Sequence, residues 1–133
     1  MSLGTLMNET RGVLYAACEI ARQNGVIVVA AGHIRGEQSF PAAFDNVIGV
    51  GAGRFSNPFQ YSFLPGEAFE CVAKGYGQQP QGLGGRAIAC NGTSFAAPNI
   101  TGIVALFRER YPGVDLPEVK ALLARYAVNN SAQ

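Results

Sequence analysis

Charge is scarce in this sequence. Asp, Glu, Lys and Arg make up 14% of the 133 residues, against roughly 25% in a typical soluble domain. Ten basic side chains nearly cancel nine acidic ones and leave a net charge of +1, so no single-sign field draws the chain onto nucleic acid or an anionic membrane. Neither is expected as a partner. Long hydrophobic runs are missing as well: none is longer than Val26 to Ala31, which falls far short of the ~20 residues that a bilayer-spanning helix needs. Cysteine is sparse. Cys18, Cys71 and Cys90 cannot all pair within one chain, and no Cys-x-x-Cys spacing marks a redox or zinc site, so they read as small buried apolar side chains. Met1 to Thr10 has neither a basic start nor an apolar stretch, and no secretory signal is read there.

What is plentiful is apolar surface and glycine. Hydrophobic residues reach 48%, and the 17 glycines approach twice the usual share of about 7%. The length suits one compact domain able to bury roughly two-thirds of its unfolded surface.

After Asn8, Val13, Ala16, Ala17, Ile20 and Ala21 recur at steps of three and four, which predicts an amphipathic helix with that stripe facing inward and Gly25 ending it. Val26 to Ala31 reads as a strand buried on both faces, of the kind found in helix-covered parallel sheets. Gly32 closes it, and a loop runs from His33 to about Asn46. Val47 to Gly51 predicts a second buried strand, and Ala68 to Ala73 a third. Five glycines and a proline from Gly75 to Gly85 leave room only for turns. A helix is expected from near Ser94 to Pro112-Gly113, with Ile100, Ile103, Val104 and Phe107 on its inner face. Pro98 is placed in its first turn, where a missing N–H costs no hydrogen bond. A last helix runs from about Pro117-Glu118 to Ala127, with Val119, Leu122, Leu123 and Tyr126 inward. The class is α/β, a partial parallel sheet flanked by helices, with too few strands for a good doubly wound sheet alone.

Chemistry concentrates in Cys90-Asn91-Gly92-Thr93-Ser94-Phe95-Ala96-Ala97-Pro98. A serine there stands between a glycine turn and a helix N-terminus, whose unpaired amides favour an alkoxide-like nucleophile and a developing oxyanion. A plain Ser or Thr N-cap is the other reading of the same residues. Ala30-Ala31-Gly32-His33 puts a polar side chain at the carboxyl end of a buried strand, where open α/β folds bind ligands. A loop histidine there can equally be structural or solvated. Gly51-Ala52-Gly53 is similar to the start of a dinucleotide loop, but Asn57-Pro58 follows where a helix would be needed. The sequons at Asn8, Asn91, Asn99 and Asn129 carry meaning only in a secreted chain.

Taken in order, these segments resemble the subtilisin-like serine proteases. Asn91 to Pro98 is similar to that family's catalytic-serine motif, followed by the small-residue helix Gly102-Ile103-Val104-Ala105. Val26 to Gly32 resembles the strand leading to its oxyanion residue. Phe40-Pro41-Ala42 with Val47 to Ala52 resembles the next segment and strand, and Met1-Ser2-Leu3-Gly4 resembles the strand end that pairs with bound peptide. The resemblance covers essentially the whole chain and implies one incomplete peptidase domain over residues 1–133, the C-terminal half of a catalytic domain. It implies peptide-bond hydrolysis through an acyl-enzyme, with a peptide or protein as substrate. Ser94 would be the nucleophile and its own amide an oxyanion donor. Ser2, Leu3 and Gly4 would lie along the substrate as an added strand, Ala31 and Gly32 would line the pocket for the residue before the cut, and Phe40-Pro41 would be a cis peptide.

The sequence departs from the pattern in two places. The family's triad Asp and His lie upstream of the Met-Ser-Leu-Gly strand and have no counterpart here, and a serine hydroxyl without a base is a weak nucleophile. His33, the only histidine, falls at the oxyanion-hole Asn position and is not assigned as the missing base. Its ring N–H can stand in for the amide donor, or the hole has decayed in a non-catalytic relative that binds peptide or a partner chain; both readings stand. No cofactor is expected. Calcium enters only by family analogy, since no carboxylate cluster supports a site. The family is often secreted, though the chain gives no compartment of its own. A complementary N-terminal half, or self-association through the surface around Val26 to Ala31, is expected to cover an exposed sheet edge and apolar helix faces.

Overall fold

A computed structural model describes residues 10–130. In chain order its elements are helix α1 (Arg11–Gln23), strands β1 (Val29–Ala31), β2 (Ile48–Gly53), β3 (Tyr61–Phe63) and β4 (Cys71–Lys74), then helices α2 (Thr93–Arg110) and α3 (Leu116–Tyr126). Short 3-10 turns lie at Leu83–Gly85 and Val128–Asn130. The strands form one sheet in the order β1-β2-β4-β3. β1, β2 and β4 run parallel, with Ala31 opposite Val50 and Val50 opposite Cys71, while β3 joins β4 antiparallel. No described helix is long and apolar enough to cross a membrane.

Alternation along β1 divides the core between the two sheet faces. Val29 and Ala31 join Ile48, Val50, Cys71 and Ala73 against Ile100, Ile103 and Val104 of α2 and Val119 and Leu123 of α3. Ala30 points the other way, into a cluster with Cys18 of α1 and Phe40, Ala42, Phe44, Val47 and Phe69. Fully buried side chains such as Ile100 and Leu123 each contribute about 1.5–3 kcal/mol by leaving water. The Phe40–Pro41 peptide is cis.

The helix ends follow from their residues. α1 stops where the Gly25 and Val26 amides fold back onto the Arg22 and Ala21 carbonyls, both at 2.9 Å. α3 opens one residue earlier than Pro117, through a capping box in which Asp115 accepts from the Glu118 amide and Glu118 accepts from the Asp115 amide, each at 2.9 Å.

Several expectations are corrected. The predicted inner stripe of α1 faces outward: Val13 is 77% and Ile20 61% exposed, with Ala16 and Ala17 exposed between them. Leu14 and Cys18, on the adjoining part of the same apolar arc, make the contact with the sheet. Tyr126 is half exposed instead of inward. β4 starts three residues later than the Ala68–Ala73 strand read from sequence. The antiparallel β3 was not foreseen, because three residues are too few for a periodic signal. Tertiary contacts hold it instead: Tyr61 Oη donates to the Leu123 carbonyl at 2.9 Å, and Asn129 both accepts from the Phe63 amide and donates to its carbonyl, at 3.0 and 2.8 Å.

Candidate active site

The turn before α2 is clamped to the end of β4. The Gly75 amide donates to Gly53 at 3.1 Å, extending the ladder past the strands, and the Gly75 carbonyl accepts from the Gly92 amide at 2.7 Å. Asn91 Oδ1 accepts from the Gly77 amide at 2.9 Å, and paired Gln78–Cys90 backbone bonds close the excursion that separates β4 from α2. From within α2, Asn99 Nδ2 donates back to the Lys74 carbonyl at 3.0 Å, the same oxygen that accepts from Gln78 Nε2 at 2.8 Å.

This clamp puts Ser94 at the second position of α2, exposed, at the carboxyl edge of the parallel strands. Its Oγ has no hydrogen-bond partner among the described residues. The Thr93 and Ser94 amides precede the first residue that can bond within the helix and point toward the open end, where the positive end of the helix dipole lies. Gly92 just before them has φ +150°, a conformation that side-chain-bearing residues rarely adopt, and a Cβ there would lie 3.6 Å from Ser94 Oγ. The turn therefore keeps the approach to the serine bare. Pro98 lies in the second turn of α2 and not the first, because the helix begins at Thr93. The missing N–H takes from the Ser94 carbonyl its intrahelical donor, a local cost that the sequence reading did not assign.

Gly32 and His33 occupy the carboxyl end of β1. The Gly32 amide donates to Val50 at 2.8 Å, and the Phe69 ring packs so closely beneath Gly32 that a Cβ would fall 2.5 Å from it. Ala31 is buried against the α2 side of the sheet, which leaves its backbone as the part able to face a groove. His33 is partly exposed, and its Nδ1 lies 3.3 Å from Glu37 Oε2 and 3.4 Å from the Arg35 amide. A proton on Nδ1 satisfies the carboxylate, whereas a lone pair there satisfies the amide, so the two contacts cannot both be hydrogen bonds at one time. Nε2 has no partner among the described residues. At this exposure the ion pair is worth little.

β1 and β4 flank β2, and at about 4.8 Å per strand spacing their carboxyl ends lie roughly 10 Å apart. Ser94 and His33 thus stand on one edge of the sheet, on either side of β2. Ser2, Leu3 and Gly4 lie outside the described residues. Cys71, beneath the site in β4, has its thiol pushed up to about 12 by burial and, secondarily, by Glu70, so it is no reactive thiolate. Among the described residues no three His, Cys, Asp or Glu side chains converge.

Sequence reasoning missed the clamp. Asn91 is part of the serine motif and Asn99 only a sequon in the sequence reading, and an Asn beside a glycine turn signals side-chain bonding to nearby backbone. Gln78 and Phe69 carried no local signal, because their roles depend on which strand ends meet.

The model of the Subtilase family matches residues 1–133. Subtilisin DY of Bacillus licheniformis is 33% identical over 136 residues, spanning 97% of this chain and 48% of that protein. Alkaline elastase YaB of Bacillus sp. (strain YaB) is 31% identical over 131 residues, spanning 97% of this chain and 34% of that protein. The chain therefore spans about half or less of the length of the relatives it matches. Among solved structures, Sphericase superposes with a TM-score of 0.74 at 22% identity, covering 94% of this chain and 46% of that one. At that identity the likeness establishes the α/β fold.

Proposed function

The chain belongs to the subtilase family, and from that premise we propose that it forms the nucleophile-bearing half of a serine endopeptidase site, with Ser94 as the attacking residue. The observation that carries the reading is the exposed Ser94 in the first turn of α2, behind a bare glycine turn at the carboxyl edge of the sheet. Ser94 Oγ would attack the scissile carbonyl carbon and give up its proton to a base. The carbonyl oxygen becomes an oxyanion, stabilised by the Ser94 amide and by the N–H of His33 Nε2. Collapse would expel the amine with that proton and leave an ester on Ser94, which water then hydrolyses. The backbone of Ala31 and Gly32 would form one wall for the residue before the cut, and Ser2, Leu3 and Gly4 an added strand along the substrate.

The chain's one imidazole is engaged as a donor in this scheme. The base and its orienting carboxylate therefore come from outside these 133 residues, and the chain by itself is expected to turn over no substrate. The same absence favours a second reading, a non-catalytic subtilase segment that keeps the groove and binds peptide or a partner chain. Hydrolysis of an activated ester by the chain supplemented with the N-terminal half of Subtilisin DY separates the two. Ser94→Ala is expected to abolish it, and His33→Ala to lower it at least tenfold. A large gain with His33→Asn instead identifies a decayed oxyanion hole. Hydrolysis unaffected by Ser94→Ala contradicts the assignment.

A further inference from the structure

We infer that the hairpin between β4 and α2 is a processing site, opened by an arginine-directed endopeptidase at the Arg86–Ala87 bond. The inference does not rest on the role given to Ser94. From Gln79 to Ala89 every residue except Gly82 is exposed, and Leu83 at the tip is 100% exposed. Endopeptidases take their substrate as an extended strand, so a folded chain is cut where a surface segment can leave its neighbours and straighten.

This hairpin straightens at small cost. Its arms are joined by isolated antiparallel pairs, Gln78 with Cys90 and Gln81 with Ala87, and not by a continuous ladder. Beyond the first pair, the Ile88 amide donates to Pro80 at 3.1 Å, the Gly82 amide to Arg86 at 2.8 Å and the Gly85 amide to Gly82 at 3.1 Å. These bonds lie at the surface, where water takes the place of a broken partner. Gly84 and Gly85 hold φ at +76° and +74°, and a glycine passes from there to extended backbone without a Cβ clash.

Arg86 supplies the specificity. Eight of the ten basic side chains are held by a carboxylate, a carbonyl or an aromatic ring. Arg35 and Arg86 are the two whose guanidinium groups have no partner among the described residues. Arg35 sits in a tight turn that the Gly36 amide closes on the His33 carbonyl at 3.0 Å, and its exposed run ends three residues later at buried Ser39. Arg86 stands within a run twice that long. No Asp or Glu occurs from Cys71 to Arg108, so an acidic specificity pocket approaches Arg86 without repulsion from the hairpin. Cleavage consumes one water: its oxygen bonds to the Arg86 carbonyl carbon, the bond to the Ala87 nitrogen breaks, and that nitrogen leaves with a proton as an amine.

The cut releases neither piece. Between it and the core stand the Gln78–Cys90 pair and the bonds that Asn91 and Gly92 make to Gly77 and Gly75, and α2 keeps Ile100 buried against the sheet. The product is a two-chain form, residues 1–86 and 87–133, in which the helix bearing Ser94 is joined to the sheet without a covalent link.

The test is limited digestion of the full 133-residue chain with dilute trypsin, followed by mass spectrometry and native size-exclusion chromatography. The first cut is expected after Arg86, with residues 1–86 and 87–133 eluting as one species. Arg86→Gln should slow the loss of intact chain at least tenfold, and Arg35→Gln should leave it unchanged; both changes are at exposed side chains. A first cut elsewhere, resistance of the wild type throughout, unchanged digestion of Arg86→Gln, or separation of the two pieces overturns the inference. Ser94→Ala should be cut like wild type, so loss of the serine chemistry leaves this result standing.

Discussion

At the scale of single residues, the structure assigns different fates to three cysteines that the sequence treats alike. Cys18 and Cys71 are buried, and burial raises both thiols above their ordinary value; Cys90 is only partly buried, beside the serine turn. At pH 8 a thiol reagent should modify Cys90 first, with Cys71 protected until the protein unfolds. Peptide mapping of the modified chain checks this, and early modification of Cys71 contradicts the core described here. The helix start at Ser94 was legible because a glycine turn precedes it and Asn91 to Pro98 resembles a distinctive family motif. His33 was legible only as a position. Its pairing with Glu37 and the Arg35 amide depends on how the loop turns, and the intervening residues do not encode that turn by any period.

At the scale of elements, α3 is held at its start by the reciprocal Asp115–Glu118 cap and along its length by Lys120. Lys120 Nζ lies 2.7 Å from Glu70 Oε2 and donates to the Asp45 carbonyl at 2.9 Å. Asp115→Ala should lower stability by about 1 kcal/mol, a shift of several degrees in Tm for a domain of this size. Asn129→Ala should loosen β3, because one side chain satisfies both backbone groups of Phe63. Faster amide exchange at Phe63, with β1 and β2 unchanged, is the expected result. α2 and α3 were legible in the sequence because their inner positions keep helical spacing and their ends carry Pro, Gly and Asp. β3 was not, since its place is fixed by Leu123 and Asn129, some sixty residues downstream. For α1 the spacing gave the helix but the wrong face. An apolar arc wide enough for two contacts cannot say which part meets the sheet.

At the scale of the whole molecule, one sheet face is closed by α2 and α3, while the other is covered by α1 and the segment around Phe40 and Phe44. The scarcity of charge has a structural counterpart here, because the apolar surface of α1 extends beyond what the chain itself covers. On the proposed reading, Ser94 and His33 act with a base supplied from outside the 133 residues, and the chemistry belongs to an assembly. The most direct test is to treat the chain, supplemented with the N-terminal half of Subtilisin DY, with a fluorophosphonate and map the adduct by mass spectrometry. The account predicts a single adduct on Ser94, dependent on the added half and absent in Ser94→Ala. No adduct, or one on another residue, contradicts it.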